Sequence, residues 1–329
     1  MSRVLSFVII SCSVSIRLFA LSPRPSDLAH TYSIVARDSI TGEMGVAVQS
    51  HWFSVGTIVS WAEAGVGAIA TQSFVNPAFG PDGLSLLKKG HSADQVLNIL
   101  IQADEAESVR QLAIVDAQGN VAVHTGSKCI PEAGHLTGKG YSVQANMMLN
   151  NSVWPAMAMA YETAEGPLAE RLLAALDAAE NEGGDIRGRQ SASLLVVRPE
   201  HSGKIWEDRI VDLRIDDHPE PLKELRRLLR VKQAYEHMNA GDLAIEHNDI
   251  PEALKQYSAA EQMFPNNLEM QYWHAVSLVN VGRLNESLPL FQTIFRGDAN
   301  WKILTERLPG VGLLNVNSEQ LQSILSATE

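Results

Sequence analysis

Between residues 31 and 217, apolar and polar positions alternate in short runs, each closed by turn-forming residues. Residues 32–37 and 45–49 flank Asp38-Ser39-Ile40-Thr41-Gly42, a spacing that predicts an antiparallel hairpin. Residues 57–62 and 65–71 repeat the design around Glu63-Ala64. The period then lengthens, and 81–89 and 93–103 read as helices, with Ser92 placed to cap the second. A further hairpin is expected from 111–116 and 121–124 across Ala117-Gln118-Gly119-Asn120, and a strand at 142–146. Residues 153–164 and 167–182 have helical spacing, the latter with Leu172, Leu173 and Leu176 on one face, and 191–197 and 210–215 close the region as strands.

Strand groups separated by helix pairs are not the pattern of a doubly wound parallel sheet. They predict an α+β fold in which two antiparallel sheets lie face to face with helices outside, a four-layer αββα sandwich. After His218-Pro219-Glu220-Pro221 the pattern is helical throughout. If Pro265 closes a repeat of 34 residues, Gly241, Ala253, Tyr257 and Ala260 take the small and aromatic positions of a tetratricopeptide-like repeat, and Ala275, Leu278, Ser287, Phe291 and Ile294 follow one period on. The domains expected are therefore a leader at 1–30, the sandwich at 31–217, helical repeats at 222–300 and a helical tail at 301–329. Two repeats bury little area alone, so they should stack on a helix at 222–233 or on the tail. One reading of the repeats is a groove for a protein or cell-wall partner. The other is an appendage for packing or for dimerisation, and only the second of these would make the protein a homo-oligomer.

A chain of 329 residues fits this two-part division. The net charge of −12, with no compact basic cluster to offset it, argues against a nucleic-acid partner; Arg226, Arg227 and Arg230 sit in a mixed-charge helix. Arg3, a run over 4–16 that is apolar apart from Ser and Cys, and small Ala20 resemble a secretory signal, which implies a periplasmic or extracellular location; without that function the chain stays cytoplasmic. Ile9-Ile10-Ser11-Cys12 also has the look of a lipoprotein cleavage box. Loss of the leader removes Cys12 and leaves Cys129 without an intramolecular partner.

Thr31 opens the first strand of the sandwich. In a hairpin turning near residue 41 it lies opposite 50–52, so Ser50 and His51 arrive beside it, and Ser33 points to the same face. A threonine hydroxyl inside a chain is a poor nucleophile, whereas at a chain start the α-amine, of pKa about 8, can take its proton. Donors for a developing oxyanion are available in Asn76 after one strand and in Gln144 and Asn146 at the end of another. In Gly183-Gly184-Asp185-Ile186-Arg187-Gly188-Arg189-Gln190-Ser191 the glycines allow close backbone approach, and Arg187 and Arg189, with Gln190 beside them, can hold a carboxylate. The plainer readings are strand-end polar residues, turn amides and an exposed loop. His51, His91, His124 and His135 lack metal-ligand spacing, and neither a Gly-x-Ser-x-Gly elbow nor a phosphate-binding glycine pattern occurs, so no metal or cofactor is indicated.

Several motifs in order carry a closer resemblance: Thr31-Tyr32-Ser33-Ile34-Val35-Ala36-Arg37-Asp38, Gly45-Val46-Ala47-Val48-Gln49-Ser50, Ala64-Gly65-Val66-Gly67-Ala68-Ile69-Ala70-Thr71-Gln72, Asn76-Pro77 with Gly80, His124-Thr125-Gly126, Gln144-Ala145-Asn146-Met147 and Gly184-Asp185-Ile186-Arg187-Gly188-Arg189-Gln190-Ser191-Ala192. Over residues 31–217 they resemble a domain-of-unknown-function family in the Ntn-hydrolase superfamily. The resemblance implies an Ntn-hydrolase-like αββα sandwich and hydrolysis of a small-molecule or small-peptide amide by an N-terminal nucleophile, here Thr31, with Asn146 or Asn76 as oxyanion donor. The stretch from Trp301-Lys302-Ile303-Leu304 to Gly312-Leu313-Leu314 looks like a peptidoglycan-binding module appended to some members. This chain departs from the family in one respect: a leader precedes the threonine, and Leu28-Ala29-His30 is a poor signal-peptidase site, so exposing Thr31 requires self-cleavage or a second protease. A non-catalytic exported binding protein is the alternative.

Overall fold

The computed structural model describes residues 28, 29 and 31–327. The expected leader, Cys12 included, lies outside the described residues apart from Leu28–Ala29. Among the described residues no helix is long and apolar enough to cross a membrane.

Among the described residues eleven strands form two antiparallel sheets. The first contains β1 (Leu28–Ala29), β4 (Ser60–Glu63), β5 (Gly67–Phe74), β6 (Arg110–Asp116) and β7 (Val121–Thr125), with β1 and β4 sharing one edge of β5 and β6 on the other. The second runs β11 (Arg209–Ile215), β10 (Ser191–Val197), β3 (Met44–Ser50), β2 (Thr31–Arg37), β9 (Tyr141–Ala145), β8 (Gly134–Gly138). Asp38 sets the β2–β3 turn: its Oδ1 accepts the N–H groups of Ile40 and Thr41 at 2.7 and 2.8 Å. That turn fixes the register, so Thr31 pairs with Ser50.

Side-chain alternation along these strands divides the core into layers. Val35, Val46, Val48, Ala68, Ala70, Val115 and Leu195 pack between the sheets. On the outer face of the first sheet, Ile69, Leu112 and Ile114 pack against α1 (Phe79–Lys88) and α2 (Ala93–Gln102), the latter started by the Ser92 capping box. On the outer face of the second, Tyr32, Ile34 and Val143 meet α3 (Val153–Thr163) and α4 (Leu168–Asn181).

Two elements differ from the sequence reading. Residues 57–59 do not extend β4, because a 3₁₀ turn over Val55–Thr57 precedes it. Strand β8 was not expected: its ends are glycines, and Gly134 is required because a Cβ there would stand 2.6 Å from the Trp154 ring.

The remainder is helical: α5 (Pro221–Glu246), α6 (Ile250–Met263), α7 (Leu268–Asn280), α8 (Leu284–Gly297), α9 (Asn300–Arg307) and α10 (Ser318–Leu325). The expected helix at 222–233 continues without a break into the next, giving a single element of 26 residues. Its first half buries Leu222, Leu225 and Leu229 against the second sheet, and its second half packs Ala234, Met238 and Ala244 onto Ala253, Tyr257 and Ala260 of α6. One helix therefore belongs to both cores. Tyr272, Ala275, Phe291 and Ile294 form the next cluster, closed by Leu308, Leu314 and Ile324 of the tail.

Candidate functional site

The layer between the sheets changes character along its length. Two-residue periodicity carries the face holding Val35 on to Ser33 and Thr31, that holding Val48 on to Ser50, that holding Ala70 on to Gln72, and that holding Ala113 on to Gln111. On β9, Val143 faces the helices, so Ser142 and Gln144 face inward. At one end the layer is thus built from Thr31, Ser33, Ser50, Gln72, Gln111, Ser142, Gln144 and Asn146, each fully buried.

Buried amides are tolerated only when paired, since an unpaired one costs about 1–3 kcal/mol. Ser33 Oγ donates to Gln72 Oε1 at 2.6 Å and accepts from Gln144 Nε2 at 2.8 Å. Gln72 Nε2 donates to the Thr31 carbonyl at 3.1 Å and to Gln111 Oε1 at 2.7 Å. Asn146 reaches the same two acceptors, its Nδ2 lying 3.4 Å from the Thr31 carbonyl and 2.9 Å from Gln111 Oε1, while its backbone N–H donates to Thr31 at 3.1 Å. Gln111 Nε2 crosses between the sheets to the carbonyls of Ala145 and Gly134 at 3.0 and 3.3 Å, and to Thr125 Oγ1 at 3.0 Å. Thr125 Oγ1 in turn meets His135 Nδ1 at 2.8 Å. Burial, then the neighbouring His124, lower the pKa of His135.

The residues following two of these amides are strained. Ser73 after Gln72 has φ 71° and Met147 after Asn146 has φ 59°, left-handed conformations that cost a non-glycine residue about 1–2 kcal/mol. Strain of this kind gathers where surrounding contacts fix an otherwise unfavourable geometry. Ser73 is also the partner of Ala29: the chain leaves β5 of the first sheet at Leu28–Ala29 and enters the second sheet at Thr31.

One loop walls this end. Asp185, almost fully buried, accepts the His51 N–H at 3.1 Å and the Arg187 N–H, Nε and Nη2 at 3.0, 3.0 and 2.7 Å. Gln190 donates its N–H to the Ser50 carbonyl at 3.1 Å and its side-chain amide to Asp217 at 3.2 Å. The loop thus brings His51, Arg187 and Gln190 to the ends of β3 and β9.

Arg189 and Asn76 lie elsewhere. Arg189 pairs with Glu180 on α4 and with Glu220 at 2.7 Å, on the helical side of the second sheet. Glu180 also accepts the Tyr32 hydroxyl at 2.6 Å, and burial, then this carboxylate, push the Tyr32 pKa well up. Asn76 Nδ2 donates to Asp104 at 3.3 Å, beside the Asp104–Arg110 ion pair, and its Oδ1 accepts the Ala78 N–H. Cys129 donates to the Arg110 carbonyl at 3.4 Å, and burial raises its thiol pKa. Among the described residues no three His, Cys, Asp or Glu side chains converge as a metal centre requires.

Gln72, Gln111 and Asp185 were not singled out from the sequence. A signal did exist for the glutamines: Gln72 stands two residues after inward-facing Ala70 and Gln111 two residues before inward-facing Ala113.

The described class is a mixed α+β protein of two antiparallel sheets followed by a helical region. The chain belongs to DUF1028, a family of unknown function, whose family model matches residues 31–225. It is similar to protein SPO2555 from Silicibacter pomeroyi, a crystal structure described under the same family, with 33% identity and a TM-score of 0.55 over 61% of this chain and 88% of that one. A more remote likeness is to Anbu (ancestral beta-subunit) from Yersinia bercovieri, with 15% identity and a TM-score of 0.29 over 60% of this chain and 92% of that one. No curated protein is matched.

Proposed function

We propose that this protein is an exported amidohydrolase of the N-terminal-nucleophile type, with an Ntn-hydrolase-like sandwich and Thr31 as nucleophile once the residues ahead of it are removed. The observation that carries the reading is the position of Thr31: it heads β2 at the polar end of the inter-sheet layer, with its carbonyl held by Gln72 and Asn146. Fixing the main chain of the nucleophile in this way orients its hydroxyl and amine in advance of the reaction.

The chemistry balances with the residues of this chain. The Thr31 hydroxyl adds to the amide carbonyl while the α-amine takes its proton. The proton passes to the departing nitrogen, the C–N bond breaks, and water cleaves the resulting ester to release a carboxylic acid and restore Thr31. Asn146 exchanges its longer contact, 3.4 Å to the Thr31 carbonyl, for the oxyanion while keeping Gln111, and Ser33, Ser50 and Gln144 make up the buried polar layer around it. His51, Arg187 and Gln190 form the wall on which a substrate carboxylate is held. Asn76 and Arg189 are left out of these roles by their positions, Asn76 beside the Asp104–Arg110 ion pair and Arg189 among Glu180 and Glu220 on the helical side of the second sheet.

The helical region is read as two tetratricopeptide-like repeats. The nine positions assigned from the 34-residue period, from Gly241 to Ile294, are all buried, as packing positions of stacked repeats should be. Their partner would be a protein or cell-wall ligand.

A second reading, a non-catalytic binding protein, is favoured by the pairing of Leu28–Ala29 with β5, which keeps the preceding residues docked and Thr31 in amide linkage. The mass and N-terminal sequence of the protein recovered from exporting cells separate the two. A start at Thr31, with amide turnover lost in Thr31→Ala and retained in part by Thr31→Ser, is the expected result. A mature start at Leu21, or an intact leader, would favour the binding protein.

A further inference from the structure

Strand β5 is lined on one edge by β6 along almost its whole length, while its other edge is covered in two pieces. Strand β4 covers Gly67 to Ala70, and Leu28–Ala29 cover Phe74 and Ser73. The second piece is two residues long and ends just before Thr31.

Cleavage in front of Thr31 releases that piece. It uncovers the stretch of β5 at Ser73 and Phe74 that Leu28 and Ala29 cover, at the head of the polar layer, next to the α-amine that the same cut creates; the Phe74 carbonyl keeps its bond from Arg110 Nη1. Open edges are templates for extended backbone, and Leu28–Ala29 show that this edge accepts an antiparallel segment. The left-handed φ of 71° at Ser73 helps set this edge apart from the regular ladder behind it.

Resting on the reading of Thr31 as nucleophile, we infer that the vacated edge of β5 at Ser73–Phe74 is the acyl-side subsite of the enzyme and takes an extended peptide. The substrate class is accordingly a peptide or peptidyl amide with at least two residues ahead of the cleaved bond, in place of a simple acylated amine. The leader and the substrate acyl group attach to the same residue, one at the Thr31 nitrogen and the other at its hydroxyl oxygen. Two chains starting from one residue and running away from the same pocket face the same free edge, and the leader shows the direction, antiparallel to β5.

The test uses the protein from residue 31 to its C-terminus, made with Thr31 first by cutting an N-terminal fusion. Calorimetry measures its binding of the peptide Pro-Ser-Asp-Leu-Ala-His and of two forms N-methylated singly at the Leu and at the Ala nitrogen. The unmodified peptide should bind, and one methylated form should bind about tenfold more weakly, the loss expected for one strand hydrogen bond. In parallel, coumarin amides with one, two and three residues on the acyl side should show kcat/KM rising about tenfold or more once the second residue is present. No binding, or equal binding of all three peptides, overturns the subsite. Turnover that ignores acyl-side length also overturns it and leaves the amidohydrolase standing. Methylation-sensitive binding without any turnover keeps the edge as a peptide site and counts against Thr31 catalysis.

Discussion

Asn146 holds the carbonyl of Thr31 twice, through its backbone N–H at 3.1 Å and its side-chain amide at 3.4 Å. The double contact ties the head of β2 to the end of β9, and the same side chain reaches Gln111 of the opposite sheet at 2.9 Å. Asn146→Ala keeps the backbone contact and loses the other two, so we expect a stability loss of about 1–2 kcal/mol in urea denaturation. If Asn146 also donates to the oxyanion, turnover by the mature protein should fall about 100- to 1000-fold with KM little changed, measured on the best peptidyl amide.

Gln72 and Gln111 should be energetically coupled. Gln72→Leu leaves Gln111 Oε1 with one donor fewer and the Ser33 hydroxyl without its acceptor, and Gln111→Leu strands donors from Gln72 and Asn146. Each substitution is expected to cost about 1–3 kcal/mol. The double variant should cost less than the sum, with an interaction energy of about 0.5–3 kcal/mol from a double-mutant cycle. Strict additivity would mean that the amide layer does not act as one network.

Asp104 gives the fold a dependence on acid. Burial acts to raise its pKa, but the Arg110 guanidinium, the Ala106 N–H and the Asn76 amide outweigh burial and hold it below the ordinary aspartate value. A carboxylate lowered in the folded state stabilises fully above its unfolded pKa, near 3.9, and that contribution is lost as pH falls towards the folded value. Melting temperatures between pH 6 and 3 should therefore fall less steeply in Asp104→Asn, which starts from a lower value.

His135 acts in a higher range. Its folded pKa lies below the unfolded value of about 6.5, because burial and then His124 disfavour the imidazolium. Its contribution is complete above that unfolded value and declines as pH drops below it, since the unfolded chain takes up the proton more readily. His135→Asn should flatten the stability profile between pH 7 and 5.5, and unchanged slopes in that window would remove His135 from the account.

Gly241 in α5 tests the packing of the first helical pair. A Cβ there would stand 2.7 Å from the Tyr257 ring, which is buried and hydrogen-bonded to Asp242 at 2.6 Å. Overpacking of this kind costs about 1–3 kcal/mol and exceeds the gain of about 1 kcal/mol from replacing glycine by alanine within a helix. Gly241→Ala should lower the unfolding temperature despite its better helix propensity.

The parts of this structure legible in the sequence are those written in local spacing. The turn at Asp38 gave the pairing of Thr31 with Ser50, and Ser92 gave the start of α2. Strand β8 was hidden because Gly134 and Gly138 lower strand propensity, and its place depends on the ladder to β9 and on Trp154. Of the candidate site, the residues at strand ends could be listed, but their company could not. Gln72 and Gln111 are partners in the β5–β6 register, but they reach Thr31, Ala145 and Asn146 only because their sheet lies over β2 and β9 of the other, and Asp185 comes to the end of β3 through a loop whose course has no periodic signature. Arg189, two residues from Arg187, turns to the helical side and meets Glu180, a separation that sequence neighbours do not reveal.

The amide layer has one more consequence. Apolar side chains attract without preferred direction, so the valines and alanines between the sheets would tolerate sliding of one sheet over the other. The bonds from Gln111 to Ala145 and Gly134 carry direction and span both sheets, as does the Ser60–Ser193 contact at 2.8 Å between β4 and β10. They act as pins against shear, holding one sheet in place over the other around Thr31.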